Sequence, residues 1–287
     1  MPFVYTVRYV RDGGRYSIRA VDARQESEIC FTAICSFKRP EKYGAEHYQN
    51  HQPPAPLMKD NNNYDSVLLN PKTGKLRSPV EFCLAPGADA PWYIRAVESG
   101  EIEEPEFPGT EVRKVDMTLY NETNEVKANP HKYRQLQWYR IKDSVGEKKC
   151  GSPQKHNTAI FSNQSLEAGE YDNLFACAHL YASDKNSLFI IPRAIGEPDG
   201  WQSVASLSIH VIFHKHGESI RMLKSDDEDA TGRNLKNKWF LQESSTSRSG
   251  ENRGLFEQRI WTEDGTLLAT VMQDAIIEYK KPPGAKL

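Results

Sequence analysis

Long apolar runs are missing from this 287-residue sequence. No stretch of about 18 apolar residues occurs, so no segment is expected to cross a bilayer as a helix. A surplus of charge is missing too. The 37 basic residues are balanced by 39 acidic ones, which gives no electrostatic footing for a nucleic acid or an anionic membrane. The opening "MPFVYTVRYVRDGG" lacks the basic-then-apolar order of a secretory leader. Cysteine is scarce and scattered: Cys30, Cys35, Cys83, Cys150 and Cys177 contain no CxxC pair. Reduced thiols are therefore expected, not a disulfide frame or a zinc site. In "HVIFHKH", His210 and His214 share a strand face without a cysteine or carboxylate at ligand spacing, so no metal and no other cofactor is expected.

What is present is period-two alternation broken by turns. In the last third, Trp239–Thr246, Leu255–Thr262 and Thr266–Tyr279 read as strands, separated by the turn-like "SRSGENRG" and "TEDG". Upstream, "SVASLSIHVIFHK" puts Ala205, Leu207, Ile209, Val211 and Phe213 on one face, and Ser206, Ser208, His210 and His214 on the other. "KYRQLQWYRIKD" reads as a further strand near 132–143. Between these two lies "LFACAHLYAS", apolar nearly all round, which predicts a helix buried on most sides. Its small residues would let an antiparallel sheet wrap closely around it, an α+β layer. The N-terminal "VYTVRYV", "RYSIRAVDA" and "EICFTAICSFKRP" repeat the three-strand meander, and "SFKRP" ends as "EYKKP" does. Two related units are implied. Residues 108–121 are expected to add a strand to the first.

Three polar residues interrupt this pattern. Asp184 closes the apolar helix, where the negative end of the helix dipole and desolvation would both disfavour a carboxylate and suit it to a general base. Pattern alone leaves a second reading open, a solvated aspartate ending the helix or capping the "DKNS" turn. Gln273 breaks the face formed by Leu267, Ala269, Val271, Ala275 and Ile277; a buried amide there needs specific partners. Ser206 opens the alternating strand without a GxSxG elbow around it, so nothing marks it as a covalent nucleophile. At the other end, Ala285, Lys286 and Leu287 form a variant of the S-K-L peroxisomal address, behind an extended "KKPPG".

"YASDKNSLF", "SLSIHVIFHK", "RGLFEQRIWTEDGTLLATVMQDAII" and "VRDGGRYSIRAV" together resemble the acyl-CoA thioesterase II family. The resemblance covers most of the chain except 41–79 and 222–236. It implies two hot-dog domains, here 1–121 and 133–282, joined by a linker at 122–132 and followed by a targeting tail at 283–287. It also implies hydrolysis of fatty acyl-CoA in the peroxisomal matrix, reached through an import receptor. In that family an aspartate after "Y-A-S", a strand-opening serine or threonine and a last-strand glutamine activate water; the matching positions are Asp184, Ser206 and Gln273. The first unit lacks the strand and helix that family members place before "VRDG", the pattern of an N-terminally shortened chain. An apolar face left open in this way favours association, so a homo-oligomer is among the expected states. A basic surface for the CoA phosphates is expected, with Arg193, Lys215, Arg248 and Arg253 as unranked candidates. Two other functions fit parts of the pattern. One is a non-catalytic acyl-CoA-binding or scaffold protein. The other is a hot-dog enoyl-CoA hydratase, against which Phe189 stands where that chemistry needs histidine.

Overall fold

The computed structural model describes residues 2–38, 64–142, 169–225 and 235–280. It divides into two compact units, residues 1–49 and 50–287. In the first, β1 (Val4–Asp12), β2 (Tyr16–Gln25) and β3 (Glu28–Lys38) form a three-stranded antiparallel sheet in sequence order. The predicted turn at "RQES" is a two-residue loop between the Gln25–Glu28 pair. Glu26 there takes the positive φ that such tight loops require. Val7, Tyr9, Phe31 and Ile34 are exposed.

The second unit is built on seven strands in the order β4-β5-β6-β10-β11-β12-β7. These are β4 (Cys83–Leu84), β5 (Thr110–Lys114), β6 (Gln135–Ile141), β7 (Trp201–Phe213), β10 (Phe240–Gly250), β11 (Arg253–Thr262) and β12 (Leu267–Tyr279), while β8 (Leu223–Ser225) and β9 (Leu235–Asn237) pair apart. The β10–β11 hairpin turns at Glu251 and Asn252, both at positive φ, as a two-residue loop matched to the strand twist demands. The segment expected to serve the first unit does not: Thr110–Lys114 pairs antiparallel with Gln137–Ile141 inside the second sheet. Residues 64–121 accordingly pack within the second unit. They carry the short helices α1 (Asp65–Leu68), α2 (Pro91–Glu98) and α3 (Thr118–Asn121), and the stretch read as a linker coils into α4 (Asn124–Ala128).

The apolar segment forms α5 (Asp172–Ser183), followed by the short α6 (Ile190–Ala194). Phe175, Ala182, Leu188, Ile190 and Ile191 pack with Tyr139, Phe240, Phe256, Ile260 and Val271 of the sheet in one core. Each of the leucine, isoleucine, valine and phenylalanine side chains contributes about 1.5–3 kcal/mol on burial. The opposite sheet face buries Leu136, Trp138, Leu241 and Trp261 against Tyr64, Val67, Leu68 and Phe82. The expectation of a helix buried on most sides is corrected. Only Phe175, His179, Ala182 and Ser183 of α5 are buried, one face at helical spacing. Leu174, Leu180 and Tyr181 are exposed, because a single sheet covers a single side.

Two of the β-bulges in this sheet decide which side chains reach the core and the site. Ile260 pairs with Ala269 but Trp261 pairs with Leu267. Leu268 therefore joins the core beneath the helix, and Leu267 packs against the cluster on the other face. The second bulge, in β7, acts on the site.

Candidate active site

Strict alternation puts Ser206 on the face opposite Ile209 and Val211. The register corrects this. Gln273 stands opposite Ile209 and Asp274 opposite Ser208, but Ala275 stands opposite Ser206, so Leu207 is bulged out of the ladder. One extra residue reverses the facing of everything before it. Ser206 thereby joins the face of Gln273, and its hydroxyl donates to Gln273 Oε1 at 3.2 Å.

Gln273 is fully buried in the core beneath the helix. Its Nε2 donates to Asp184 Oδ1 at 3.0 Å. A carboxylate only accepts, so the amide nitrogen must face Asp184 and the amide oxygen must face the hydroxyls. The three residues read from sequence thus meet through one amide. Ser187, which sequence reading passed over, completes the group. Its Oγ lies 3.1 Å from Gln273 Oε1 and 3.2 Å from Asp184 Oδ1, able to donate to either. The signal was faint: a serine three residues after Asp184 in a turn, a spacing that also suits simple capping.

Asp184 is the residue ending α5, with φ −81 and ψ −15. Of the two readings left open for its surroundings, the desolvated one is corrected and the solvated one holds: Asp184 is exposed where the chain leaves the helix. The turn that follows is held from outside. Asn186 adopts φ 60, a left-handed conformation that asparagine tolerates. Its side chain accepts from the Asp89 amide at 3.1 Å and donates to the Pro86 carbonyl at 3.0 Å. Lys185 donates to the Gly87 carbonyl at 2.9 Å. Asp89 itself is buried and paired with Lys114 at 2.7 Å and Arg193 at 2.5 Å. Burial pulls the Lys114 and Lys185 ammonium groups below the ordinary lysine range, opposed at Lys114 by Asp89.

Deeper in the core, His179 is fully buried. Its Nε2 donates to the Ile220 carbonyl at 2.9 Å while Nδ1 accepts from the Tyr139 hydroxyl, the arrangement of a neutral ring. Burial lowers its pKa to about 4. Among the described residues no group of three or more His, Cys, Asp or Glu could hold a metal ion. Of the basic candidates for CoA, Arg193 is engaged by Asp89 and Arg253 by Asp274. Phe189 packs its ring against Trp201. Ala285, Lys286 and Leu287 lie outside the described residues.

A hydrogen-bonded aspartate, amide and serine at the end of a helix lying on an antiparallel sheet can hold a water molecule and accept its proton. The family model for the acyl-CoA thioesterase C-terminal domain matches residues 96–277. The chain belongs to the acyl-CoA thioesterase family. It is 22% identical over 287 residues to human acyl-coenzyme A thioesterase 8, covering 98% of this chain and 69% of that one. The mouse protein of the same name is 22% identical over 285 residues, again covering 98% of this chain and 69% of the relative. The acyl-CoA thioesterase II TesB2 of Mycobacterium marinum superposes with a TM-score of 0.55 at 21% identity, covering 99% of this chain and 75% of that one. A conserved protein of unknown function with a hot-dog fold from Alicyclobacillus acidocaldarius gives 0.52 at 16% identity, covering 98% and 73%. The architecture is the α+β double hot-dog. As an acyl-CoA thioesterase, the chain is a hydrolase of thioesters.

Proposed function

We propose that this thioesterase hydrolyses fatty acyl-CoA to a free fatty acid and CoA, with Asp184 as general base and Ser206 and Gln273 positioning the water and the carbonyl. The observation that carries the reading is the Gln273 amide, which bonds Asp184 through its nitrogen and Ser206 through its oxygen. Asp184 takes a proton from water as the water oxygen bonds to the thioester carbon. The carbonyl electron pair moves onto oxygen, then returns to expel CoA thiolate, which takes up a proton. A thioester is electrophilic enough for this to proceed without a covalent enzyme intermediate or a metal. Gln273 has two N–H donors and spends one on Asp184, leaving one for the developing oxyanion. With the S-K-L-like tail, the reading extends to work in the peroxisomal matrix after delivery by an import receptor.

The test is CoA release from palmitoyl-CoA, followed chromatographically because Cys30, Cys83 and Cys177 are exposed and would react with a thiol dye. Turnover by the parent and its near-abolition in Asp184→Asn support the assignment. A folded parent that binds palmitoyl-CoA and releases no CoA would make the chain an acyl-CoA-binding protein instead.

A further inference from the structure

Asp184 stands at an exposed helix end, where chains fray, yet a general base has to hold its aim. Its inner side is fixed by Gln273 Nε2 at 3.0 Å and Ser187 Oγ at 3.2 Å, both on Oδ1. The outer side of the same turn is fixed by a loop from far upstream. Asn186 accepts from the Asp89 amide and donates to the Pro86 carbonyl, 97 and 100 residues earlier in the chain. Lys185, 8% exposed, donates to the Gly87 carbonyl between them. A left-handed turn alone does not call for these bonds, since glycine takes the φ of 60 found at Asn186 without strain. A carboxamide carries a donor and an acceptor on one planar group, and here each meets its complement.

The loop is itself well held. Ala85 donates its amide to the Val112 carbonyl at 2.8 Å, and Gly87 donates its amide to Glu104 at 2.5 Å. A Cβ at Gly87 would collide with Tyr93 and Glu104, so the backbone passes as close as glycine allows. Asp89 ties the end of the loop to Lys114 of β5 and Arg193 of α6. Loop, strand and short helix form one frame around the turn.

We propose that Asn186 is a positioning residue for hydrolysis, clamping the turn after α5 to the 85–89 loop so that Asp184 keeps its contact with Gln273. The proposal rests on the reading of Asp184 as the base. Asn186 acts through the main chain. The Lys185 and Ser187 amides bond the Ala182 and Asp184 carbonyls across this turn, each at 3.2 Å, the long end of the range for such bonds. A turn so loosely bonded within itself takes its geometry from what grips it. Both contacts of Asp184 fall on Oδ1, so a small swing of the turn breaks them together and re-aims the carboxylate. A misplacement of about 1 Å costs about 10²-fold in rate.

The test uses Asn186→Gly, which keeps the left-handed turn unstrained and removes both side-chain bonds. In palmitoyl-CoA hydrolysis kcat should fall by about 10²-fold, with KM within about twofold of the parent. Added to Gln273→Leu, the same substitution should cost less than about threefold, since no Asp184–Gln273 bond is left to align. Asn252→Gly, the same exchange at the left-handed asparagine of the β10–β11 turn, should leave turnover unchanged. Lys185→Met removes the third bond and should lower kcat by about 10-fold, which keeps the proposal refutable if Asn186→Gly folds poorly. An unchanged kcat in Asn186→Gly, or equal losses in the parent and Gln273→Leu backgrounds, would overturn the clamp. Should the parent release no CoA, the hydrolytic reading fails by itself. Hydrogen exchange at the Lys185 and Ser187 amides then decides the clamp. It should run about 10-fold faster in Asn186→Gly than in the parent, and equal rates would overturn it.

Discussion

Ser206 stands opposite Ala275 across β7 and β12, one residue out of step with the Ser208–Asp274 pair beside it. The bulge at Leu207 is therefore part of the site. Deleting Leu207 removes the extra residue, so Ser206 follows Ser208 directly in a plain ladder and stays opposite Ala275, on the face of Gln273. Ser206→Ala should lower turnover by about 10²-fold, while the deletion should keep turnover well above that level, with circular dichroism keeping its sheet signature. A deletion as inactive as Ser206→Ala would show that the bulge itself, beyond the facing of Ser206, is needed.

Among the described residues, Gln273 is the one whose side chain bonds Asp184, Ser187 and Ser206 together. Gln273→Leu keeps the volume and removes every one of these bonds. The expected loss in kcat is about 10²–10³-fold, the scale for removing one donor to a developing oxyanion, with KM little changed. A variant that raises KM alone would assign Gln273 to binding.

Stability should depend on pH through His179. Folded, it stays neutral until pH falls to about 4; unfolded, it takes a proton near pH 6.5. Between these values the unfolded chain binds more protons, so the contribution is complete above about pH 6.5 and is lost as pH falls towards 4. The difference corresponds to about 3 kcal/mol at most. Urea midpoints from pH 7 to pH 4 should drop more steeply for the parent than for His179→Gln, and parallel curves would refute the assignment.

Asp89 neutralises two cations in a nearly dry place, at 3% exposure. Asp89→Ala strands Lys114 and Arg193 and should cost about 3–5 kcal/mol. It also removes the anchor of the loop that grips Asn186 and Lys185. A thermal scan should show a fall of many degrees, and an unchanged melting temperature would show that the pair is solvated in solution.

Much of the fold was legible because alternation and turn chemistry are local. The β10–β11–β12 meander and its N-terminal counterpart follow from apolar residues two apart with tight turns between them. Gln273 stood out because an amide in an apolar row has to be explained. Ser206 was reached only by resemblance, since period two puts it on the wrong face and a bulge leaves little trace in a single sequence. For Asp184 a dry and a solvated reading both stood open, the dry one because the helix before it is apolar all round. Apolar composition does not say how many sides the fold will cover. Ser187 was invisible for a related reason: its importance comes from Gln273, distant in sequence and adjacent only after folding. The membership of 110–114 was decided by pairing with β6 across a gap no local rule spans.

β7 is one of the two terminal strands of the seven, and among the described residues of its unit it is hydrogen-bonded in the ladder to β12 alone. Terminal strands open locally, at a free-energy cost below that of unfolding the domain. The hydroxyl of Ser206 therefore rides on an element expected to open before the central strands. Heat inactivation should run ahead of loss of the sheet, and amide hydrogens between 203 and 213 should exchange before those of β11. The working lifetime should then be set at that edge, not by the melting of the core.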